Sequence, residues 1–212
     1  MATKYEKLRI SMRYRLLGLA AGTPSFFTAV KALEFAQQYH KGTRKDGKTP
    51  EFQHQLEIGH YLLTLRQSLM HPAETLAVSF LHDISEDYGL SHEELAAQFG
   101  TLVADETWSV TKKFRGTVKD RLEFFKGVGA APIGSVLKGA DRINNLGSMG
   151  GVFTPTKQLA YVQEAEDYFL PMLKVARRAF PQQEQVYENI KLMLMSQCTL
   201  VKAIHAGAAV SA

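Results

Sequence analysis

The sequence predicts an all-α fold, organised as a single helical bundle. Three observations predict it. Apolar residues recur at helical spacing through most segments, as in Phe27, Val30, Leu33 and Ala36. No stretch shows the strict alternation of a half-buried strand, and no internal repeat is present. Helix boundary signals punctuate the chain, among them Pro72 at a first helical turn and Ser91 followed three residues later by Glu94, a capping box.

The elements follow in order. Tyr5 to Ala20 reads as an amphipathic helix that ends near Gly22-Thr23-Pro24. Ser25 is the expected N-cap of a helix running to about His40. Lys41 to Pro50 is a loop rich in turn formers and cations. A helix is expected from His54 to Leu69, and another from Pro72 through His82. A short capped helix reaches Phe99-Gly100, and the next spans about Leu102 to Val110. Thr111 to Thr117 is a basic connection before a helix from Val118 to Lys126. Ile133 to Leu146 is a helix carrying Asp141, followed by the Gly-rich loop 147–155. Two long helices, 156–180 and 182–204, complete the fold, and residues 206–212 form a tail expected to fray.

At 212 residues the chain can bury one good-sized core. A net charge of +4 suits an anionic small molecule, and no basic tract is dense enough for a nucleic-acid footprint. No apolar run approaches a membrane span. Arg13 and Arg15 before Leu16-Leu17-Gly18-Leu19-Ala20 only faintly imitate a signal peptide. Cys198 is the sole cysteine, which excludes an internal disulfide and a thiolate zinc cluster and makes a reducing cytoplasm the expected location.

The chemistry concentrates in Ser79-Phe80-Leu81-His82-Asp83-Ile84-Ser85-Glu86-Asp87. Read as one helix, His82 and Glu86 are four apart, as are Asp83 and Asp87, so an imidazole and three carboxylates share one face. Carboxylates so crowded repel unless a cation lies among them or some stay protonated. A solvated helix end is the plainer alternative, but the apolar approach through Leu76-Ala77-Val78 and Phe80-Leu81 favours a buried helix. A metal on His82 and Asp83 needs further ligands, and His54 and Asp141 are the best candidates. For Asp141 a salt bridge to an arginine stands level with ligation. Mixed imidazole and carboxylate ligation suits manganese, iron, zinc or cobalt, whereas calcium and magnesium prefer oxygen throughout. His40 reads as a hydrogen-bonded structural histidine.

Four ordered pieces carry a resemblance: His40-Lys41-Gly42-Thr43-Arg44-Lys45-Asp46-Gly47 with Pro50 and His54; His82-Asp83 through Glu86-Asp87; Phe99-Gly100 with Val110-Thr111-Lys112; and Lys138-Gly139-Ala140-Asp141-Arg142-Ile143-Asn144-Asn145. The sequence resembles the HD-domain phosphohydrolases, within them the hydrolase domain of the RelA/SpoT-type alarmone enzymes, and particularly the small single-domain alarmone hydrolases. The resemblance implies an HD hydrolase domain over 25–205 after an N-terminal helix over 1–24, with a metal site between core helices. His54, His82, Asp83 and Asp141 match the metal ligands, usually of manganese, and Glu86 and Asp87 match the acidic pair that acts on the attacking water. Arg44 and Lys45 match the pair around the guanine base, and Asn145 matches a nucleoside contact; Lys112 and Lys138 are expected to face phosphates. The implied reaction removes the 3′-diphosphate of guanosine tetra- or pentaphosphate, leaving GDP or GTP and pyrophosphate.

Some positions depart from the family pattern. Gln55 follows the first ligand where the family usually has Pro, Asn144 stands where His is frequent, and Tyr161 replaces a phosphate-binding Lys or Arg. These put substrate preference in question, so NADPH 2′-phosphatase activity is an alternative expectation. A non-catalytic alarmone-binding regulator is another. With no synthetase domain after Ala212, the chain is expected to degrade the alarmone without making it, and so to pair functionally with an alarmone synthetase as an antitoxin would.

Overall fold

In a computed structural model the backbone of residues 3–210 and the side chains of residues 3–206 are described. The chain is helical, as the sequence predicts. Helices α1 (Lys4–Gly22), α2 (Phe26–Ala36), α3 (Gln53–Thr64) and α4 (Pro72–Leu81) form the first layer. Then come the short α5 (Ile84–Tyr88), α6 (His92–Phe99) and α7 (Thr101–Val110). The second half contains α8 (Arg121–Gly129), α9 (Pro132–Ser148), α10 (Pro155–Glu164), α11 (Leu170–Ala179) and α12 (Glu184–Val210). No described helix is long and apolar enough to cross a membrane.

Several local expectations are met. Ser91 and Glu94 form the reciprocal capping box that starts α6, and Pro72 opens α4. Others need correction. Ser25 has helical dihedrals and its side chain caps nothing, so α2 is held by its apolar face rather than by a cap. That helix ends at Ala36, short of His40. The helix from His54 stops at Thr64 and gives way to a 3-10 turn over Arg66–Ser68. The basic connection is not a plain loop: Lys113–Phe114 and Thr117–Val118 pair as an antiparallel hairpin, β1 and β2. Its turn holds Gly116 at φ +88°, a conformation glycine adopts without a Cβ clash. The following helix starts later than expected, at Arg121, where Asp120 accepts from the N–H groups of Leu122 and Glu123. The penultimate long helix is interrupted by a π segment over Ala165–Phe169, next to Pro171, whose ring cannot continue regular hydrogen bonding. The tail is helical as far as Val210, and Ser211 and Ala212 lie outside the described residues.

The core positions two helices that matter for the site. Helix α3 lies tight against α4: a Cβ at Gly59 would sit 2.8 Å from the Phe80 ring. Helix α9 approaches α12 as closely, since a Cβ at Gly139 would be 2.6 Å from Ile190. The N-terminus of α9 is tied down by the buried Glu106 of α7, whose Oε2 accepts from the N–H groups of Ile133 (3.2 Å) and Gly134 (2.7 Å). A carboxylate there satisfies two of the N–H groups a helix start leaves free and complements its dipole. On the other flank, the buried Arg142 lies over the rings of Tyr161 and Phe169 and pairs with Glu164 at 2.5 Å, locking α9 to the α10 segment.

Candidate metal centre

The single helix face read from the sequence is not what forms. Helix α4 ends at Leu81. Asp83 takes φ −95° and ψ −4°, and α5 begins at Ile84. The break is supported locally. The His82 ring bonds back to the Ser79 carbonyl at 2.9 Å, and the Asp87 N–H bonds the Asp83 carbonyl at 2.9 Å. Gly89, at φ +71°, then ends α5 in the left-handed conformation a C-terminal glycine provides. The turn leaves His82 and Asp83 facing α3 and α9.

His54 comes from the first turn of α3, His82 and Asp83 from the α4–α5 turn, and Asp141 from the middle of α9. His54, His82 and Asp141 are all buried, and their ligand atoms lie within 4.8 Å of one another. His54 Nε2 is 3.2 Å from Asp141 Oδ1. Asp83, with 29% of its side chain exposed, directs Oδ2 to within 3.0 Å of His82 Nε2 and 4.0 Å of His54 Nε2. Two imidazoles and two carboxylates therefore converge, although they are scattered over 88 positions of chain from 54 to 141.

The tautomers can be argued from the partners. The Ser79 carbonyl can only accept, so His82 Nδ1 carries a proton and donates it, leaving Nε2 as the lone-pair nitrogen. That Nε2 is buried, with Asp83 Oδ2 3.0 Å away. For His54, Nδ1 lies 2.6 Å from Asn144 Oδ1, while Asn144 Nδ2 donates to Glu57 Oε2 at 2.9 Å. The carboxylate fixes the orientation of the amide, so Asn144 presents its oxygen and His54 Nδ1 must donate. Both Nε2 atoms thus face the carboxylates. This donor set, N, N, O and O, with each imidazole held from behind, fits a transition-metal cation.

Electrostatics point the same way. Burial alone would depress the His82 pKa, but the Asp83 and Asp141 carboxylates outweigh it and raise it to about 9. Burial opposes ionisation of Asp83 and Asp141 too, yet His82 beside the first and Lys138 beside the second hold both below the usual carboxylate range. The Lys138 ammonium is 3.0 Å from Asp141 Oδ2. Asp87, at the exposed rim, is raised to about 6 by partial burial and by the neighbouring Asp83, Glu51 and Glu86 carboxylates.

The centre opens into a cavity of about 600 Å³, lined among others by Arg44, Lys45, His54, Asp83, Glu86, Asp87, Lys138, Asp141 and Asn145. Asn145 Nδ2 donates to Asp141 Oδ1 at 2.6 Å, and its Oδ1 accepts from Arg44 Nη2 at 3.3 Å. Lys45 Nζ is 5.3 Å from the centre of the Phe153 ring. Lys112 is placed differently from the expectation. Its side chain is not among the groups lining the cavity; its backbone N–H instead donates to Glu86 Oε1. Lys138 is at the cavity but bonded to Asp141. His40 fulfils the structural expectation: it is buried, with Nδ1 3.1 Å from Glu51 Oε1.

Several contributors were not picked out as site residues. Asn144 holds His54, Glu57 holds Asn144, and Gln55 Nε2 lies 3.3 Å from Asp83 Oδ2. The one available signal was position: a polar Asn144 beside the Asp141 segment and a carboxylate one turn after His54. Phe153 and Tyr161, whose rings pack 5.3 Å apart, form an aromatic wall of the same cavity.

An all-helical domain with a buried His/Asp group that could hold a metal at the junction of three helices is consistent with the HD fold. Comparison with known families agrees: residues 32–107 match the HD domain model, a span that includes His54, His82 and Asp83. The chain carries an HD domain related to the hydrolase region of the RelA/SpoT (p)ppGpp hydrolases. It is 28% identical over 145 residues to the guanosine-3′,5′-bis(diphosphate) 3′-pyrophosphohydrolase of Vibrio cholerae, covering 65% of this chain and 20% of that protein. A probable enzyme of the same name from Synechocystis is 29% identical over 150 residues, covering 67% and 19%. The bifunctional (p)ppGpp synthase/hydrolase SpoT of Escherichia coli K12 is 25% identical over 145 residues, covering 65% and 20%. The chain thus spans about a fifth of the length of these curated relatives.

Proposed function

We propose that the protein is a manganese-dependent hydrolase that removes the 3′-diphosphate from guanosine tetra- or pentaphosphate, releasing pyrophosphate. One observation carries this reading: two imidazoles with protonated Nδ1 atoms turn both Nε2 atoms toward two aspartates at the floor of a cavity rimmed by further carboxylates and cations. The names of the relatives supply the substrate class.

In this reading His54, His82, Asp83 and Asp141 hold the cation. Once bound, such an ion acidifies a coordinated water and offsets charge on phosphate oxygens. Glu86 and Asp87 accept the proton that the attacking water gives up. Asp87 stands beside Glu86 on the lining of the cavity, where either carboxylate can take up a proton from a water held at the floor. The backbone N–H of Lys112 holds Glu86 in place. Lys138, whose ammonium lies 3.0 Å from Asp141 Oδ2 on the lining of the cavity, would offset charge on a phosphate group held beside it. Arg44, steadied by Asn145 and Ser148, presents a flat guanidinium suited to stacking on a purine, and Lys45 adds charge beside it.

The test is product identification with chelator-stripped protein to which manganese is returned. Pyrophosphate and GDP from guanosine tetraphosphate support the proposal. Orthophosphate from NADPH, or tight nucleotide binding without turnover, would replace it with the 2′-phosphatase or the regulator.

A further inference from the structure

Gln55 is polar where packing alone would favour an apolar side chain. It follows His54 on α3 and lies among the residues that this helix buries, Leu56, Ile58, Leu62 and Leu63, with only 1% of its surface exposed. Its amide is half satisfied. Nε2 lies 3.3 Å from Asp83 Oδ2, and Oε1 is buried with no partner. A carboxylate accepts and does not donate, so the end facing Asp83 is the NH₂ group and the unpaired end is the acceptor. A buried acceptor without a donor costs free energy that a methionine of similar length would avoid. The one polar contact this side chain makes is with Asp83.

The four groups of the centre differ in how they are held. Asn144 holds His54, the Ser79 carbonyl holds His82, and Asn145 donates to Asp141 at 2.6 Å. Asp83 is the most exposed of the four side chains, at 29%. With His82 Nε2 serving as a lone pair, that ring has no proton to give Asp83. Gln55 is then the only hydrogen-bond donor to this carboxylate among the described residues. It is also one of the departures from the family pattern: the proline usual at this position carries no side-chain donor.

We propose that Gln55 is a positioning residue of the centre, whose Nε2 holds Asp83 with Oδ2 turned toward the two imidazoles and thereby sets the affinity for the cation. The inference rests on the reading of Asp83 as a ligand. Without this bond the half-exposed carboxylate is free to turn toward water, and the cation must order it on binding. An amide gives this support without adding charge, whereas the Lys138 ammonium beside Asp141 brings its own.

Calorimetric titration of chelator-stripped protein with manganese tests the role. Gln55→Met keeps the length of the side chain and removes both polar atoms; affinity should fall about 10- to 100-fold. Circular dichroism should be unchanged, and the melting temperature of the metal-free protein should be no lower than that of the wild type, since an unpaired buried acceptor is removed. Gln55→Asn keeps the amide but shortens its reach, and should lose affinity as well. The visible absorption of the cobalt-loaded protein should change in both variants. In hydrolysis, the manganese concentration for half-maximal rate should rise by the same factor, with kcat recovered at saturating manganese. Unchanged manganese affinity in Gln55→Met overturns the proposal while leaving the ligand set in place. So does a normal manganese affinity with a raised substrate KM, which would place Gln55 on the nucleotide. A loss of affinity matched by a lower melting temperature without metal would make Gln55 a structural residue and also overturn it. A wild-type protein that binds no manganese would remove the ligand reading itself, and this inference with it.

Discussion

The two ends of the cavity are built on opposite principles. At the floor, His54, His82 and Asp141 are buried on packed helices, and both imidazoles are fixed from behind by Asn144 and the Ser79 carbonyl. At the mouth, Arg44 and Lys45 sit on the loop between α2 and α3 and are held by long contacts, Arg44 to Asn145 at 3.3 Å and to Ser148 at 3.5 Å. A floor so held suits a cation, which needs donors placed within a few tenths of an ångström. An open mouth with cations suits the proposed nucleotide, which adaptable charges could draw in. Chemistry and recognition should therefore respond differently to substitution, the first in turnover and the second in KM.

The largest effects are expected at the floor. Asp83→Ala or Asp141→Ala should abolish cation binding and lower hydrolysis by at least ~10³-fold, as metal analysis and pyrophosphate release would show. Full metal content in either variant would remove that residue from the ligand set. Glu86→Gln should retain the cation but slow turnover by about 10²-fold or more, within the range of a lost general base. Next comes Asn144→Ala, which frees the His54 ring: metal affinity should fall about 10- to 100-fold with the fold intact, measured by calorimetric titration. At the mouth, Arg44→Ala should raise KM by about tenfold with kcat little changed, and a selective fall in kcat would break the division between the two ends.

The smallest effect concerns pH. Without metal, Asp87 has a pKa near 6, above its ordinary value. A group whose folded pKa is raised binds its proton more tightly in the folded state. Its protonated form therefore favours folding, and that contribution fades as pH rises through 6. Asp87 is exposed, so solvent screening keeps the effect modest. Asp87→Asn should flatten this part of the stability profile of the metal-free protein, as denaturant titrations at pH 5 and pH 8 would show; an unchanged slope would mean the rim carboxylates do not interact.

The same division explains what was legible in the sequence. The helical architecture and the four convergent side chains were readable because His82-Asp83 sits in an apolar approach and Asp141 interrupts an apolar helix. The geometry around them was not. A continuous helix through Glu86 was the natural reading of the spacing, and only the packing of α4 against α3 and the bond from His82 to Ser79 show that the helix breaks there. Lys112 was read as a side chain for phosphates, yet its contribution at Glu86 is a backbone N–H, which every residue but proline carries. Asn144 escaped notice as a support because its partner, His54, is 90 positions away.

The central claim is that one divalent ion binds among His54, His82, Asp83 and Asp141. Crystals soaked in manganese, with diffraction recorded at the manganese absorption edge, test it without reference to any substrate. The account predicts a single anomalous peak contacting both Nε2 atoms and both aspartates. A strong peak elsewhere, or none at saturating manganese, would contradict it.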